Sequence, residues 1–157
     1  MQKGGPGKDK RKSLKSLSLC EYFILWNGGT NPMNKTITAA GAPAASGPYC
    51  HAKLAGNMLF ISGQLGVDPA TGAMGKDVSE QATLALKNLG VILKAADMDY
   101  TDVVKTTVFL ADINDFATIN AIYADVFNTE APARSCFQVA NLPKAALFEI
   151  EAIAVKG

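Results

Sequence analysis

The segment 147–155 constrains the fold more than any other part of the sequence, because apolar side chains alternate in it with a mixed set of charged and apolar side chains. Successive residues of a β-strand point to opposite faces of a sheet, so every second residue shares a face. One face of this strand is wholly apolar: Phe148, Ile150, Ala152 and Ala154. The other face mixes carboxylates with branched apolar residues: Glu149, Glu151, Ile153 and Val155. We therefore expect a sheet with one face covered by helices and a second face of mixed character.

Two amphipathic helices are predicted between the strands. The first begins at Asp77, because an aspartate followed three residues later by Glu80 is typical of a capping box, and it ends at 97–99. Its apolar residues recur at helical spacing: Val78, Ala82, Ala85, Leu86, Leu89, Ile92 and Leu93. The second follows a polar start at 112–115 and carries the stripe Phe116, Ile119, Tyr123 and Val126.

The remaining strands are predicted where β-branched and aromatic residues cluster, at 49–54, 57–65, 102–110 and 134–140. A Gly-Asn pair at 56–57 favours a hairpin between the first two of these strands. The order β-β-α-β-α-β-β indicates an α+β fold, with two helices on one face of a mixed sheet. The second face is too apolar for water and too charged for a core. We expect it to be buried against another copy of the chain, with a cleft between copies.

Charge divides the chain into two predicted regions. Residues 1–32 hold six basic against two acidic residues, a net charge of +4, whereas 33–157 hold nine against twelve, a net of −3. We expect 1–32 to be an extension that is unstructured or not native, with Met33 as the natural start; a targeting peptide or a nucleic-acid tail are the alternatives. The mildly acidic region 33–157 is predicted to be one domain without a broad nucleic-acid surface.

Cysteine and histidine usage excludes several kinds of site. The three cysteines are far apart and there is one histidine, so neither a disulfide framework nor a zinc site is expected. Reduced thiols fit a cytoplasmic protein, and no apolar run is long enough to span a bilayer. His51 is expected to be a solvent-facing strand residue rather than a catalytic base. The glycines at 63 and 66 lack the spacing of a nucleotide-binding loop.

One arginine and two carboxylates remain as candidate functional groups. Arg134 is the only arginine after Met33, and a single guanidinium at a strand start suits bidentate capture of a planar carboxylate. Glu149 is predicted on the matching face of the adjacent strand, where it could orient or deprotonate a water. The alternative is an ion pair of Arg134 with Glu149 or Glu151 that holds subunits together.

Five motifs, in order and spacing, resemble the RidA (YjgF-type reactive intermediate deaminase) family. They are APAASGPY at 42–49, ISGQ at 61–64, VKTTVFL at 104–110, PARSC at 132–136 and EIEAIA at 149–154. The resemblance covers residues 34–156 and none of 1–32. It implies a chorismate-mutase-like α+β subunit assembled as a homotrimer, with active sites at the subunit interfaces.

The resemblance also implies a reaction: hydrolysis of 2-iminobutanoate and 2-iminopropanoate to 2-keto acids and ammonia, with no cofactor, metal or membrane. Arg134 would hold the substrate carboxylate, Glu149 would position the attacking water, and the backbone of Cys136 would orient the imine. The pocket would be lined by Tyr49, Ser62, Gly63 and Asn120. One arginine and one carboxylate are sufficient for this reaction, because imines hydrolyse readily once a water is oriented and activated.

Two departures from the family pattern bear on the preferred imine. His51 stands where relatives often have glutamine, and the loop before Pro132 is short, with Ala131 in place of an aromatic residue. A non-catalytic ligand-binding or regulatory trimer on the same fold is the main alternative function. A ribonuclease or translation inhibitor is disfavoured by the acidic domain and by the lack of a histidine pair.

Overall fold

The structure of the protein is a computed structural model that describes residues 34–157. The predictions made for 1–32, and for Met33 as a start, lie outside the described residues. In chain order the elements are β1 Asn34–Ile37, β2 Ala52–Ala55, β3 Met58–Leu65, α1 Val78–Ala95, β4 Val103–Leu110, α2 Phe116–Val126, β5 Ala133–Gln138 and β6 Phe148–Val155. The predicted succession of elements is confirmed, with β1 as an additional strand.

Helix α1 forms where its capping signal and apolar periodicity coincide. The Asp77 carboxylate accepts a hydrogen bond from the Glu80 backbone N–H at 2.9 Å, which satisfies an orphan donor of the first turn. The Glu80 carboxylate in turn accepts from the Lys76 N–H at 2.9 Å. The predicted apolar residues of the helix are buried, apart from the half-buried Val78. Asp97, with φ +56°, turns the chain away after the helix ends.

The six strands form one mixed sheet in the order β1-β2-β3-β6-β4-β5. All neighbours are antiparallel except β4 and β5, which are parallel because α2 carries the chain across the sheet between them. Gly56, with φ +62°, makes the predicted hairpin between β2 and β3. The sheet therefore places β6 at its centre and β5 at an edge.

Both helices cover the same face of the sheet. The even-numbered residues of β6, from Phe148 to Ala154, are at most 3% exposed and form the core with α1. The Tyr123 hydroxyl of α2 shares a hydrogen bond of 2.8 Å with Thr106 of β4, whose register partner is Ala152. The predicted two-faced character of β6 is thus confirmed. Within 34–157, no helix combines the length and the apolar character that crossing a bilayer requires.

The predicted adjacency of the last two strands is wrong. Strand β6 pairs with β3 and β4, so β4 separates it from β5. Consecutive strands often pair. Here the α2 crossover places β5 along one edge of β4, and β6 pairs with the other edge of β4.

Candidate active site

Arg134 lies on the helix-covered face of the sheet. Its register partner on β4 is Thr106, and that of Cys136 is Val108; both partners are fully buried beneath the helices. Residues with the same parity share a face, so Arg134 and Cys136 point toward α2. Phe137 consequently points to the open face, where it is 53% exposed.

Helix α2 holds the guanidinium of Arg134 with three side chains. The Nη2 atom donates a hydrogen bond of 2.7 Å to the Asn120 carbonyl oxygen. The guanidinium carbon lies 4.6 Å from the ring centroid of Tyr123 and 5.5 Å from that of Phe116, both within cation–π range. These positions, 116, 120 and 123, form one stripe of the helix. One nitrogen of the guanidinium is hydrogen-bonded and its carbon lies over two aromatic rings, and these contacts restrict its orientation.

The neighbours of Arg134 are kept uncharged. Burial raises the pKa of the Tyr123 phenol, although hydrogen bonding with Thr106 and the Arg134 charge oppose this effect. Burial also raises the pKa of the Cys136 thiol, against an opposing effect of Arg134. A thiol with a raised pKa is a poor nucleophile at neutral pH, so the geometry favours no covalent role for Cys136.

A second cluster surrounds a cavity of about 390 Å³ beside β3. The residues that line this cavity include the hydroxyl, amino and carboxyl side chains of Tyr49, Ser62, Lys144 and Glu149. Gly63 also lines it. Burial raises the pKa of the Glu149 carboxyl, and the nearby Glu151 raises it further. A carboxylate destabilised in this way is a better proton acceptor than an exposed one.

Gly63 is a glycine because Glu149 lies against it. A Cβ atom at position 63 would overlap the Glu149 carboxylate, so any other residue would displace that group. The register between β3 and β6 shifts between Ile61 and Gln64, so Gly63 also lies at a bulge. An isolated glycine within a strand predicts such a feature.

Hydrogen bonds orient the two hydroxyl groups of the cavity. The Ser62 hydroxyl donates to the Cys50 carbonyl at 2.7 Å, which leaves its oxygen free to accept. The Tyr49 hydroxyl accepts from the Ser46 N–H at 3.2 Å, and hydrogen bonding from Ser46 lowers the pKa of Tyr49.

The two clusters lie on opposite faces of the sheet, which corrects the predicted pairing of Arg134 with Glu149. Glu149 has the opposite parity to the buried residues of β6, and its register partner Phe109 is on the open face. Glu151 shares that face. Within the described chain, Tyr49, Ser62, Gly63 and Glu149 come together in one group, and Arg134, Cys136 and Asn120 come together in another.

The prediction for His51 is also wrong, because the imidazole is only 7% exposed. The loop before it folds back over the ring, which a strand pattern does not reveal. Phe116, which was predicted on the apolar stripe of the second helix, is 39% exposed and lies beside the guanidinium of Arg134.

Lys144 was missed altogether. It lines the cavity from a turn in which both Lys144 and Ala145 have positive φ, a conformation that non-glycine residues rarely adopt. No local feature of the sequence predicts that turn. Among residues 34–157, no group of three or more His, Cys, Asp or Glu side chains is placed to hold a metal ion.

Comparison with known proteins gives consistent matches. The family model described as Endoribonuclease L-PSP matches residues 39–156. A human protein named 2-iminobutanoate/2-iminopropanoate deaminase is 52% identical over 126 residues, which are 80% of this chain and 92% of the human protein. A protein of the same name from Salmonella typhimurium is 53% identical over 127 residues, 79% of this chain and 99% of its own.

Solved structures show the same fold. The YjgF gene product of E. coli matches with a TM-score of 0.76 and 50% identity, over 78% of this chain and 99% of its own. E. coli TdcF, crystallised with bound serine, matches with a TM-score of 0.76 and 48% identity, over the same shares of the two chains.

Proposed function

We propose, from the premise that this chain belongs to the RidA/YjgF/L-PSP family, that it is a 2-iminobutanoate/2-iminopropanoate deaminase. The single observation that carries this proposal is the preformed carboxylate site at Arg134. Its guanidinium is oriented by two rings and by Asn120 before any ligand arrives. A planar, oriented guanidinium binds a carboxylate through two parallel hydrogen bonds. A 2-imino acid presents that carboxylate next to the carbon that water must attack.

Glu149 supplies the proton transfers. Water adds to the carbon of the protonated imine and gives up a proton to the Glu149 carboxylate, so that a C–O bond forms and the product is a neutral carbinolamine. The protonated Glu149 then donates that proton to the amino nitrogen. The C–N bond breaks as the hydroxyl oxygen becomes the carbonyl oxygen and returns its proton to Glu149, and the 2-keto acid and ammonia are released, with the remaining proton leaving on ammonia as ammonium. A carboxyl group with a raised pKa performs both steps more readily than one that stays ionised. The backbone of Cys136 orients the imine end, while Tyr49 and Ser62 line the cavity.

We further propose that the active site forms between protomers of a homotrimer. Arg134 and Glu149 lie on opposite faces of one sheet, so one copy must contribute the arginine and another the glutamate. The open face carries Phe60 and Phe137, 42% and 53% exposed, which are suited to burial in such an interface. The free thiols Cys50 and Cys136 of the described residues accord with the cytoplasmic location that we propose for the protein.

The deaminase activity is tested by coupling the protein to a threonine dehydratase, which releases 2-iminobutanoate. Semicarbazide competes for the imine, and the yield of free 2-ketobutanoate is measured. Wild type should increase that yield, whereas kcat/KM of Arg134→Ala should fall by about 100-fold or more, since charge-assisted hydrogen bonds are lost. Lys87→Ala removes a positive charge from the exposed side of α1 and is the matched control.

The oligomeric state of each variant decides between interpretations. An intact Arg134→Ala trimer without activity supports substrate capture by the guanidinium. Failure of that variant to assemble would instead support the subunit-bridging ion pair. A folded wild-type trimer that binds 2-ketobutanoate without accelerating its formation would establish the ligand-binding alternative.

A further inference from the structure

His51 is the single histidine of the chain, and both of its ring nitrogens are bound to one loop. The Ala39 backbone N–H donates to Nδ1 at 3.0 Å, and Nε2 lies 2.9 Å from the Pro43 carbonyl oxygen. The residue itself is fixed to β3, because the Ser62 N–H donates to the His51 carbonyl at 3.0 Å. His51 thus connects the sheet to the loop 39–48.

These two contacts select one tautomer of the neutral imidazole. A backbone N–H can only donate, so Nδ1 must be unprotonated to accept from Ala39. A carbonyl can only accept, so Nε2 must carry the proton that binds Pro43. The neutral tautomer with hydrogen on Nε2 satisfies both contacts. The imidazolium would direct an N–H at the N–H of Ala39 and lose that contact.

The loop that His51 holds is a wall of the cavity containing Glu149. Residues 43–46 line the cavity, and the Ser46 N–H is bound by Tyr49 at the far end of the loop. His51 therefore anchors the start of the wall and Tyr49 its end. No residue of 39–48 has an ionisable side chain. His51 itself also lines the cavity, and the other titratable groups of the lining are Tyr49, Lys144 and Glu149.

We propose that His51 is a positioning residue for imine hydrolysis: as the neutral Nε2–H tautomer, it holds the loop 39–48 in place as the cavity wall facing Glu149. This inference rests on the proposed deaminase function. His51 does not contact the reacting atoms in this assignment. It acts through the loop, and its effect requires one acceptor and one donor at the two ring nitrogens.

Two variants separate hydrogen bonding from packing. His51→Gln has an amide oxygen that can accept from Ala39 and an amide nitrogen that can donate to Pro43, whereas His51→Leu fills similar space and can do neither. We expect kcat/KM of His51→Gln within about threefold of wild type. For His51→Leu we expect a loss of about 10-fold to 100-fold, as for other displaced site elements. Equal losses in the two variants, with both still folded trimers, would overturn the proposal.

Two further measurements do not depend on activity. Nitrogen-15 NMR of the sole histidine should show an unprotonated Nδ1 and a protonated Nε2 at neutral pH. Amide hydrogen exchange at Ala39 should be slow in wild type and in His51→Gln, and faster in His51→Leu. A protonated Nδ1, or fast exchange in wild type, overturns the His51 assignment. Absent deaminase activity with these signatures intact overturns the proposed function alone.

Discussion

Glu149 is held in surroundings that oppose its charge. Burial is the larger cause of its raised pKa and the repulsion by Glu151 is the second. Its neighbour Gly63 leaves room for the carboxylate where any Cβ would displace it. The carboxyl group therefore has space beside the backbone of Gly63 and a proton affinity raised by burial, which suits it to act as a general base.

The raised pKa of Glu149 predicts the pH dependence of the reaction. The carboxylate forms only above the raised pKa, so the rate should begin to fall on acidification at a higher pH than an ordinary glutamate would give. Glu151→Gln removes the second cause, and the acid limb of kcat/KM against pH should move to lower pH. An acid limb unchanged in Glu151→Gln would show that the charge of Glu151 does not reach Glu149.

The same environment makes the ionised form of Glu149 lower the free energy of unfolding. A carboxyl group whose pKa is raised by folding favours the folded state only while protonated, and this contribution is lost as pH rises through the folded pKa. Glu149→Gln should therefore melt at a higher temperature than wild type at neutral pH, and the difference should vanish in acid. It should also lack deaminase activity. Equal melting temperatures at neutral pH would contradict the burial argument.

Cys136 is expected to act through its backbone. Its thiol has a raised pKa and packs against the core, so Cys136→Ala removes no reactive group. We predict that kcat/KM in the coupled assay falls by no more than about threefold, since no transition-state contact of the side chain is lost. Complete loss of activity in a folded trimer would contradict the backbone assignment.

Helix α2 serves the site through the spacing of its residues. Positions 116, 120 and 123 place two rings and an amide around Arg134, while Ile119 packs into the core. The 3.6-residue period predicts correctly which of these residues lie close together. It does not predict that a guanidinium, rather than the core, covers Phe116.

The closer of the two rings should matter more for substrate capture. Tyr123→Leu should raise KM about 3-fold to 30-fold with a smaller change in kcat, because a partly desolvated cation–π contact is worth about 0.5–2 kcal/mol. Phe116→Leu, at the greater distance, should have the smaller effect. Tyr123→Phe keeps the ring and loses only the Thr106 contact, so it controls for the hydroxyl. A larger KM effect from Phe116→Leu would contradict this ranking.

One strand, β1, and the face on which Arg134 of β5 lies escaped prediction for different reasons. Strand β1 has only four residues, Asn34–Ile37, too few for alternation to be recognised, and it forms because β2 offers a pairing edge. The alternation within β5 was visible in the sequence, but which of its two faces the helices cover depends on pairing with β4. Strand periodicity identifies a face and leaves its partner undetermined.

Residues 34–157 form a sheet with one face covered by their own helices and a second face that these residues leave open. If the open face forms the trimer, a charge placed there should prevent assembly and with it any site shared between protomers. Phe137→Glu should therefore sediment as a folded monomer in analytical ultracentrifugation and lack deaminase activity. Lys87→Glu, on the exposed side of α1, introduces the same residue away from the sheet and should remain an active trimer. An active Phe137→Glu monomer would refute the shared site.

The sequence by itself determined what depends on neighbouring residues. Capping at Asp77, the hairpin at Gly56 and the two-faced character of β6 all follow from local backbone and side-chain geometry. The residue types that we propose for imine hydrolysis, one arginine and one glutamate, could be selected as candidates for the same reason: residue chemistry does not depend on the fold.

Only the tertiary structure decided where those groups lie. Strand order is set by the α2 crossover and by pairings between distant segments, so the interposition of β4 between β5 and β6 has no local signature. That order places Arg134 and Glu149 on opposite faces. The loop that buries His51 is likewise a contact between segments, and it turns a residue expected in solvent into a two-point anchor. The periodicity of a segment predicts which of its residues share a face, whereas the packing of distant segments determines which element covers that face.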